Sequence, residues 1–134
     1  MSKGGVVIKC VGVDKRLPIG TMGDGIWRLL ALALALIRAA GGVLLVDEID
    51  TGLHFTVMEK MWQLVSETAH KLNVQVFATT HSSDCWKALA AISRANVVDG
   101  SDVTIQRVER QSGSAVQFSE QEIVLAAEGN VEIR

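Results

Sequence analysis

Long apolar runs are missing from this chain, and so is any strong charge. The most apolar stretch, "LLALALALI" from Leu29 to Ile37, is bracketed by Arg28 and Arg38. Its nine residues fall well short of the roughly 20 that a membrane helix needs. The N-terminal "MSKGGVV" has no apolar segment of signal-peptide length. A cytoplasmic protein without membrane contact is the expectation. The formal net charge is −2, which excludes a grip on nucleic acid through bulk charge and leaves open a local basic patch. Proline occurs once, at Pro18, and no repeat or low-complexity linker divides the chain. Cysteine occurs twice, at Cys10 and Cys85, with no CxxC pair. Free thiols in a reducing compartment follow, either of them able to fill core space.

What is present is apolar bulk. Hydrophobic residues make up 49% of 134 residues, enough for one real core, so one domain over 1–134 is expected. "VVIKCVGV", Val6 to Val13, is β-branched and reads as a strand. "DKRLPIGTMGDG" reads as a loop, broken by Pro18 and its glycines. "DGIWRLLALALALIRAAGG" is rich in Leu and Ala and far too long for a strand. It predicts a helix ending at Gly41 and Gly42, apolar on nearly every side and therefore buried on nearly every side.

"VLLVDE" is apolar up to its acids, which suits a central strand covered on both faces. After the "TGL" turn, "HFTVMEKMWQLVSETAHKL" places Met58, Met61, Trp62, Val65, Ala69 and Leu72 at helical spacing. "VQVFATTH" is a second β-rich run. "SSDCWKALAAISRA" then predicts a helix with Ser82 or Ser83 as N-cap and Asp84 in its first turn. Strand, helix, strand, helix in this order predicts a parallel sheet with crossover helices, an α/β fold. "VTIQRVER", "QSGS" and "AVQF" predict a β-hairpin, and "SEQE" a capping box opening a short helix that ends near Gly129.

Ligands in open α/β sheets gather at the carboxyl ends of the parallel strands. Asp47, Glu48 and Asp50 fall at one such end, and Thr79, Thr80, His81 and Ser82 at the next. Neighbouring strands would bring them to one crevice. Of two adjacent acids, one can hold Mg²⁺ and the other can face an attacking water as base. A histidine beside them can sense or bind a phosphate.

"VLLVDE" resembles the Walker B strand of P-loop ATPases of the ABC type, "FATTHS" their H-switch, and "GTMGDGIWRLLALALAL" the signature loop and helix before Walker B. In this order the three are similar to the ABC-type branch of AAA-family ATPases, the group of overcoming-lysogenisation-defect nucleases and RecF-like repair proteins. The resemblance runs over nearly the whole chain, through the closing "GNVEIR". It implies Asp47 as the Mg²⁺ residue, Glu48 as catalytic base and His81 as switch histidine. It also implies that Gly23, Asp24 and Gly25 form the signature turn, facing the γ-phosphate of ATP held by a partner subunit, with Arg28 one turn further on. A helix start is suited to that, because its N–H groups bind anions.

The departures are specific. Met22 stands where the family's signature has serine, so a hydroxyl contact is lost. Asp24 replaces a glycine of the transporter version, and His54 stands at the position of the D-loop aspartate. Above all, no lysine follows a glycine anywhere in the chain, so the GxxxxGK[ST] phosphate loop is absent. The chain therefore resembles the C-terminal half of such an ATPase domain. It would need a Walker A segment in cis or in trans before it could bind Mg²⁺ and ATP tightly. Partners implied are a second copy, a Walker A-containing polypeptide and, through a larger complex, DNA. The process implied is DNA repair or phage defence.

Plainer readings stand beside these. Asp47 and Glu48 can end a strand and cap a turn, and Asp50 reads as support for that turn. His54 and His70 read as surface residues of one helix. Trp27, Trp62 and Trp86 read as core anchors. Arg28 and Arg38 read as cations reaching water from a buried helix. Two rival functions remain: a non-catalytic interaction module with an exposed sheet edge, and a metal-dependent nuclease using Asp47, Glu48, Asp50 and His81.

Overall fold

The computed structural model describes residues 5–12, 14–95, 103–109 and 112–133. Val13, Arg110, Gln111 and Arg134, which belong to stretches discussed above, lie outside the described residues. The order of elements is β1 (Val7–Lys9), β2 (Arg16–Pro18), α1 (Asp24–Arg38), β3 (Val43–Val46), α2 (Met58–Leu72), β4 (Gln75–Ala78), α3 (Ser83–Ala95), β5 (Thr104–Glu109), β6 (Ser114–Ser119) and α4 (Glu120–Glu128). Short 3-10 turns at Ile19–Met22 and Phe55–Val57 precede α1 and α2.

The expected α/β fold is present. β3 and β4 form a parallel pair in the register Val43↔Gln75 to Val46↔Ala78, joined through α2. β5 and β6 form the C-terminal antiparallel hairpin, and α4 follows it. The capping box at its start is complete: the Ser119 hydroxyl accepts from the Glu122 N–H while the Glu122 carboxylate accepts from the Ser119 N–H. The Ser119 hydroxyl also donates to that carboxylate at 2.8 Å, and the backbone donation first and this one second hold the Glu122 carboxyl below its ordinary value. Of the two cap candidates for α3, Ser82 caps, its Oγ accepting from the Cys85 N–H at 3.3 Å.

The main core gathers Leu32 and Leu36 of α1, Met58, Met61, Trp62 and Val65 of α2, and Cys85, Leu89 and Ile92 of α3. Leu44 and Val46 of β3 and Val76 of β4 pack against it. The indole Nε1 of Trp62 donates to the Cys85 carbonyl at 2.9 Å, pinning α2 to α3 inside this core. A second cluster, Trp86, Ala90, Ile123 and Ile133, seats α4 on α3. Val103 and Ile105 touch both clusters and so join the hairpin end to the rest.

Several expectations are corrected. β1 is shorter than Val6–Val13, and Arg16–Pro18, read as loop, is a strand paired antiparallel with β1. Pro18 ends that strand, as a residue without an N–H can. The helix α1 is not buried on nearly every side: Leu34 and Ile37 are 54% and 58% exposed. Trp27 is likewise exposed, whereas Trp62 and Trp86 are the core anchors expected. Nor is β3 covered on both faces. Alternation sends Leu44 and Val46 into the core and leaves Leu45 74% exposed, with Val43 on the same side. Phe77, paired with Leu45, is exposed too. His54 does not share a helix with His70; it precedes the 3-10 turn before α2, where its Nδ1 accepts from the Thr56 N–H.

Candidate functional site

Where β3 stops, its backbone turns sharply. Glu48 has φ +46°, a left-handed conformation that a non-glycine residue adopts at a cost of about 1–2 kcal/mol. Such a residue persists only where its surroundings hold it, and here its amide, its carbonyl and its carboxylate are all engaged. Its N–H donates to Thr79 Oγ1 at 2.8 Å. Its carbonyl accepts from Arg28 Nη2 at 2.7 Å and from the Thr51 N–H at 3.0 Å. Its carboxylate accepts from Thr51 Oγ1 at 3.1 Å.

β4 supplies the other wall. The ladder runs on past both strands, Thr79 N–H donating to the Val46 carbonyl at 2.9 Å and Ile49 N–H to the Thr79 carbonyl at 3.0 Å. This fixes Thr79 beside Asp47, and its hydroxyl donates to Asp47 Oδ1 at 2.5 Å. One step on, Thr80 Oγ1 donates to Asp50 Oδ1 at 2.6 Å and accepts from the Ser82 N–H at 3.0 Å. Asp50 thus ties two loops together. Asp47 and Glu48 remain exposed at the strand end, as does His81 in the loop leading to α3. Below them the Cys85 thiol is pushed up to about 11, first by burial, against a lowering bond from Thr80 and with a further rise from the charge of Asp50. That thiol is inert at neutral pH.

The start of α1 borders the same turn. Gly23 has φ +81°, which suits glycine, and serves as the N-cap before Asp24. A side chain at Gly25 would meet Leu53 Cδ2 at 3.5 Å and the Gly52 carbonyl at 3.6 Å, so α1 begins against the loop that follows Asp50. Arg28, one turn in, reaches the carbonyls of both Glu48 and Asp47, the latter at 3.4 Å.

The expected site residues therefore fall in three neighbouring segments: 23–28, 47–50 and 79–82. Sequence reasoning put Thr79 and Thr80 at a strand end without foreseeing that they would bond to Asp47 and Asp50. It missed Arg28 as a ligand of the turn, since nothing local marks a bond across 20 positions. Thr51 carried a signal, a hydroxyl three residues after Glu48 in a turn. Among the described residues, no three His, Cys, Asp or Glu side chains come together as a metal site. Mg²⁺ is ordinarily held by one or two carboxylates, water and substrate phosphates, and needs no such cluster. The exposed carboxylate of Asp47 suits such an ion.

The family described as AAA domain, putative AbiEii toxin, Type IV TA system matches residues 11–84. A Helicobacter pylori protein described as an ATP/GTP phosphatase is 27% identical over 90 residues, which cover 65% of this chain and 24% of that protein. The chain thus spans about a quarter of that relative's length. A solved structure from work on ATP-driven dimerization and DNA stimulated activation of SMC ATPases superposes with a TM-score of 0.56 at 23% identity. It covers 98% of this chain and 76% of the other, and at this identity the likeness concerns the fold.

Proposed function

The chain belongs to the AAA-domain family that matches residues 11–84, and from that premise we propose that residues 1–134 form one domain, the C-terminal part of an ABC-type P-loop ATPase domain. In this reading Asp47 holds Mg²⁺ and Glu48 takes the proton of the attacking water. His81 contacts the phosphate being cleaved. Gly23, Asp24 and Gly25 face nucleotide bound by a second subunit, and Arg28, one turn behind them, braces the turn through the carbonyls of Glu48 and Asp47. The observation that carries it is the clamped turn at the end of β3, where Glu48 is held in a strained conformation with Asp47 and Thr79 beside it. Backbone strain of this kind gathers at functional sites.

No lysine follows a glycine in this chain, so it lacks the GxxxxGK[ST] loop whose N–H groups cradle the phosphates of ATP. The phosphate loop is assigned to another segment or another polypeptide. The bare apolar side of β3 and β4, with Val43, Leu45 and Phe77, supports such a neighbour, since parallel sheets are covered on both faces. Among the described residues, no helix is long and apolar enough to cross a membrane. The bound ion and nucleotide would supply the charge and the bond to be cleaved; these residues orient water and accept its proton. Hydrolysis would drive closure of a dimer, in DNA repair or phage defence.

Calorimetry with Mg-ATP tests the division of labour. The isolated chain is expected to bind weakly, and tight binding would overturn the assignment of the phosphate loop elsewhere. With that loop supplied, Glu48→Gln should abolish turnover by about 100-fold or more. The same bare sheet face favours a second reading, a non-catalytic docking module. Unchanged activity of the assembled system on Glu48→Gln would establish that one instead.

A further inference from the structure

Glu48 is gripped from two different elements. β4 holds it through Thr79, whose Oγ1 accepts from the Glu48 N–H at 2.8 Å and donates to Asp47 Oδ1. The helix α1 holds it through Arg28, whose Nη2 donates to the Glu48 carbonyl at 2.7 Å and to the Asp47 carbonyl at 3.4 Å. Each peptide flanking the Glu48 α-carbon is therefore tied to both elements, its N–H to Thr79 (whose carbonyl accepts from the Ile49 N–H at 3.0 Å) and its carbonyl to Arg28. The φ of +46° lies between these two ties. Release of either tie weakens the hold that keeps a glutamate left-handed, with the Thr51 and Ile49 N–H bonds remaining.

We infer that Arg28 and Thr79 are positioning residues that together set the orientation of Glu48, and that Arg28 reports the position of α1 to it. Thr79 moves with the sheet, because its own N–H and carbonyl are in the ladder with β3. Arg28 moves with α1, whose first turn abuts Gly52 and Leu53. A shift of α1 along or away from β3 would lengthen the Arg28 bonds while leaving those of Thr79 intact. The Glu48 and Asp47 carbonyls would then lose their donor from α1, leaving the turn to β4 and the Thr51 N–H alone and the Glu48 carboxylate freer to leave its place beside Thr51. Any event that displaces the start of α1 would thereby switch the base on or off. This inference rests on the reading of Glu48 as the base for its consequence in catalysis, and on geometry alone for the clamp.

Two measurements separate these layers. In the first, the ¹³Cα and ¹³Cβ shifts of Glu48 are read by NMR in the nucleotide-free 134-residue chain. Wild type should show left-handed values. Arg28→Gln and Thr79→Val should move them toward ordinary values, while Thr79→Ser, which keeps the hydroxyl, should not. The Trp62 indole signal reports the core and should stay in place. Should Arg28→Gln fail to fold, Arg28→Lys carries the same comparison, because its single ammonium reaches the two carbonyls less well. Glu48 shifts that stay at wild-type values in the folded Arg28 and Thr79→Val variants would overturn the clamp.

The second measurement is Mg-ATP turnover by the complete ATPase that contains this chain. Arg28→Gln should lower kcat by about 100-fold, the scale of a misplaced reacting group, with KM little changed, and Thr79→Ser should restore what Thr79→Val loses. A raised KM with unchanged kcat would make Arg28 a nucleotide contact and overturn its positioning role. If the wild-type assembly does not hydrolyse ATP at all, the ATPase reading fails, and the NMR comparison still decides the clamp.

Discussion

Glu48 illustrates how one residue can be poorly suited to its backbone and still be fixed there. Glycine would take φ +46° without the steric penalty, at the expense of more chain entropy on folding, and the two effects are each about 1 kcal/mol. Glu48→Gly should therefore leave the urea midpoint unchanged or slightly raised while removing the proposed base. A midpoint lowered by the equivalent of 2 kcal/mol or more (roughly the cost of a buried polar group left unsatisfied) would mean that the Glu48 side chain has a structural role beyond its bond to Thr51. In the sequence, Asp47 and Glu48 were legible as acids at a strand end. The left-handed turn was not, because no glycine or asparagine marks it. It is imposed by Arg28 and Thr79, distant partners that local propensity does not see.

Elements whose signals are local were readable. β3, α2, β4, α3 and the hairpin carry their periodicity or β-branched content in consecutive residues. The capping box at α4 was legible to the residue, since Ser119 and Glu122 satisfy each other within one turn. Its chemistry yields a pH expectation. The Glu122 carboxyl lies below 4.5 in the folded chain because Ser119 donates to it. A carboxyl depressed on folding contributes stability above its unfolded pKa and loses it as pH falls through the folded one. The start of α4 should therefore loosen as the solution is taken below about pH 4.5, and Glu122→Gln should blunt the change. The Ser119 amide signal followed through an acid titration reads this directly; a signal that does not move would count against it. β2 was unreadable for the opposite reason. Three residues ending in Pro18 have no strand signature, and only pairing with β1 makes them one. The surroundings of α1 and β3 were misjudged because apolar content states what a face prefers, not what covers it.

At the scale of the molecule, α1, α2, α3 and the inward face of the parallel pair share one core, and the outward face carries Val43, Leu45 and Phe77. Leu45 is 74% exposed, so Leu45→Glu should cost less than about 1 kcal/mol in the chain alone, as surface changes do. It should lower self-association in sedimentation experiments, since exposed apolar patches drive it. In the presence of the proposed phosphate-loop partner the same substitution should prevent assembly. Unchanged sedimentation of both samples would remove this face from the proposal.

The bare face also bears on how much of this protein a cell could hold. A partner that binds only the folded chain raises its stability by mass action, about 2.7 kcal/mol when the partner is at a hundredfold excess over Kd. The melting point of this polypeptide would then be a property of a mixture, rising with the concentration of whatever covers β3 and β4. Its survival against proteases would follow the supply of that partner, so that orphaned copies are cleared and the two halves stay in step.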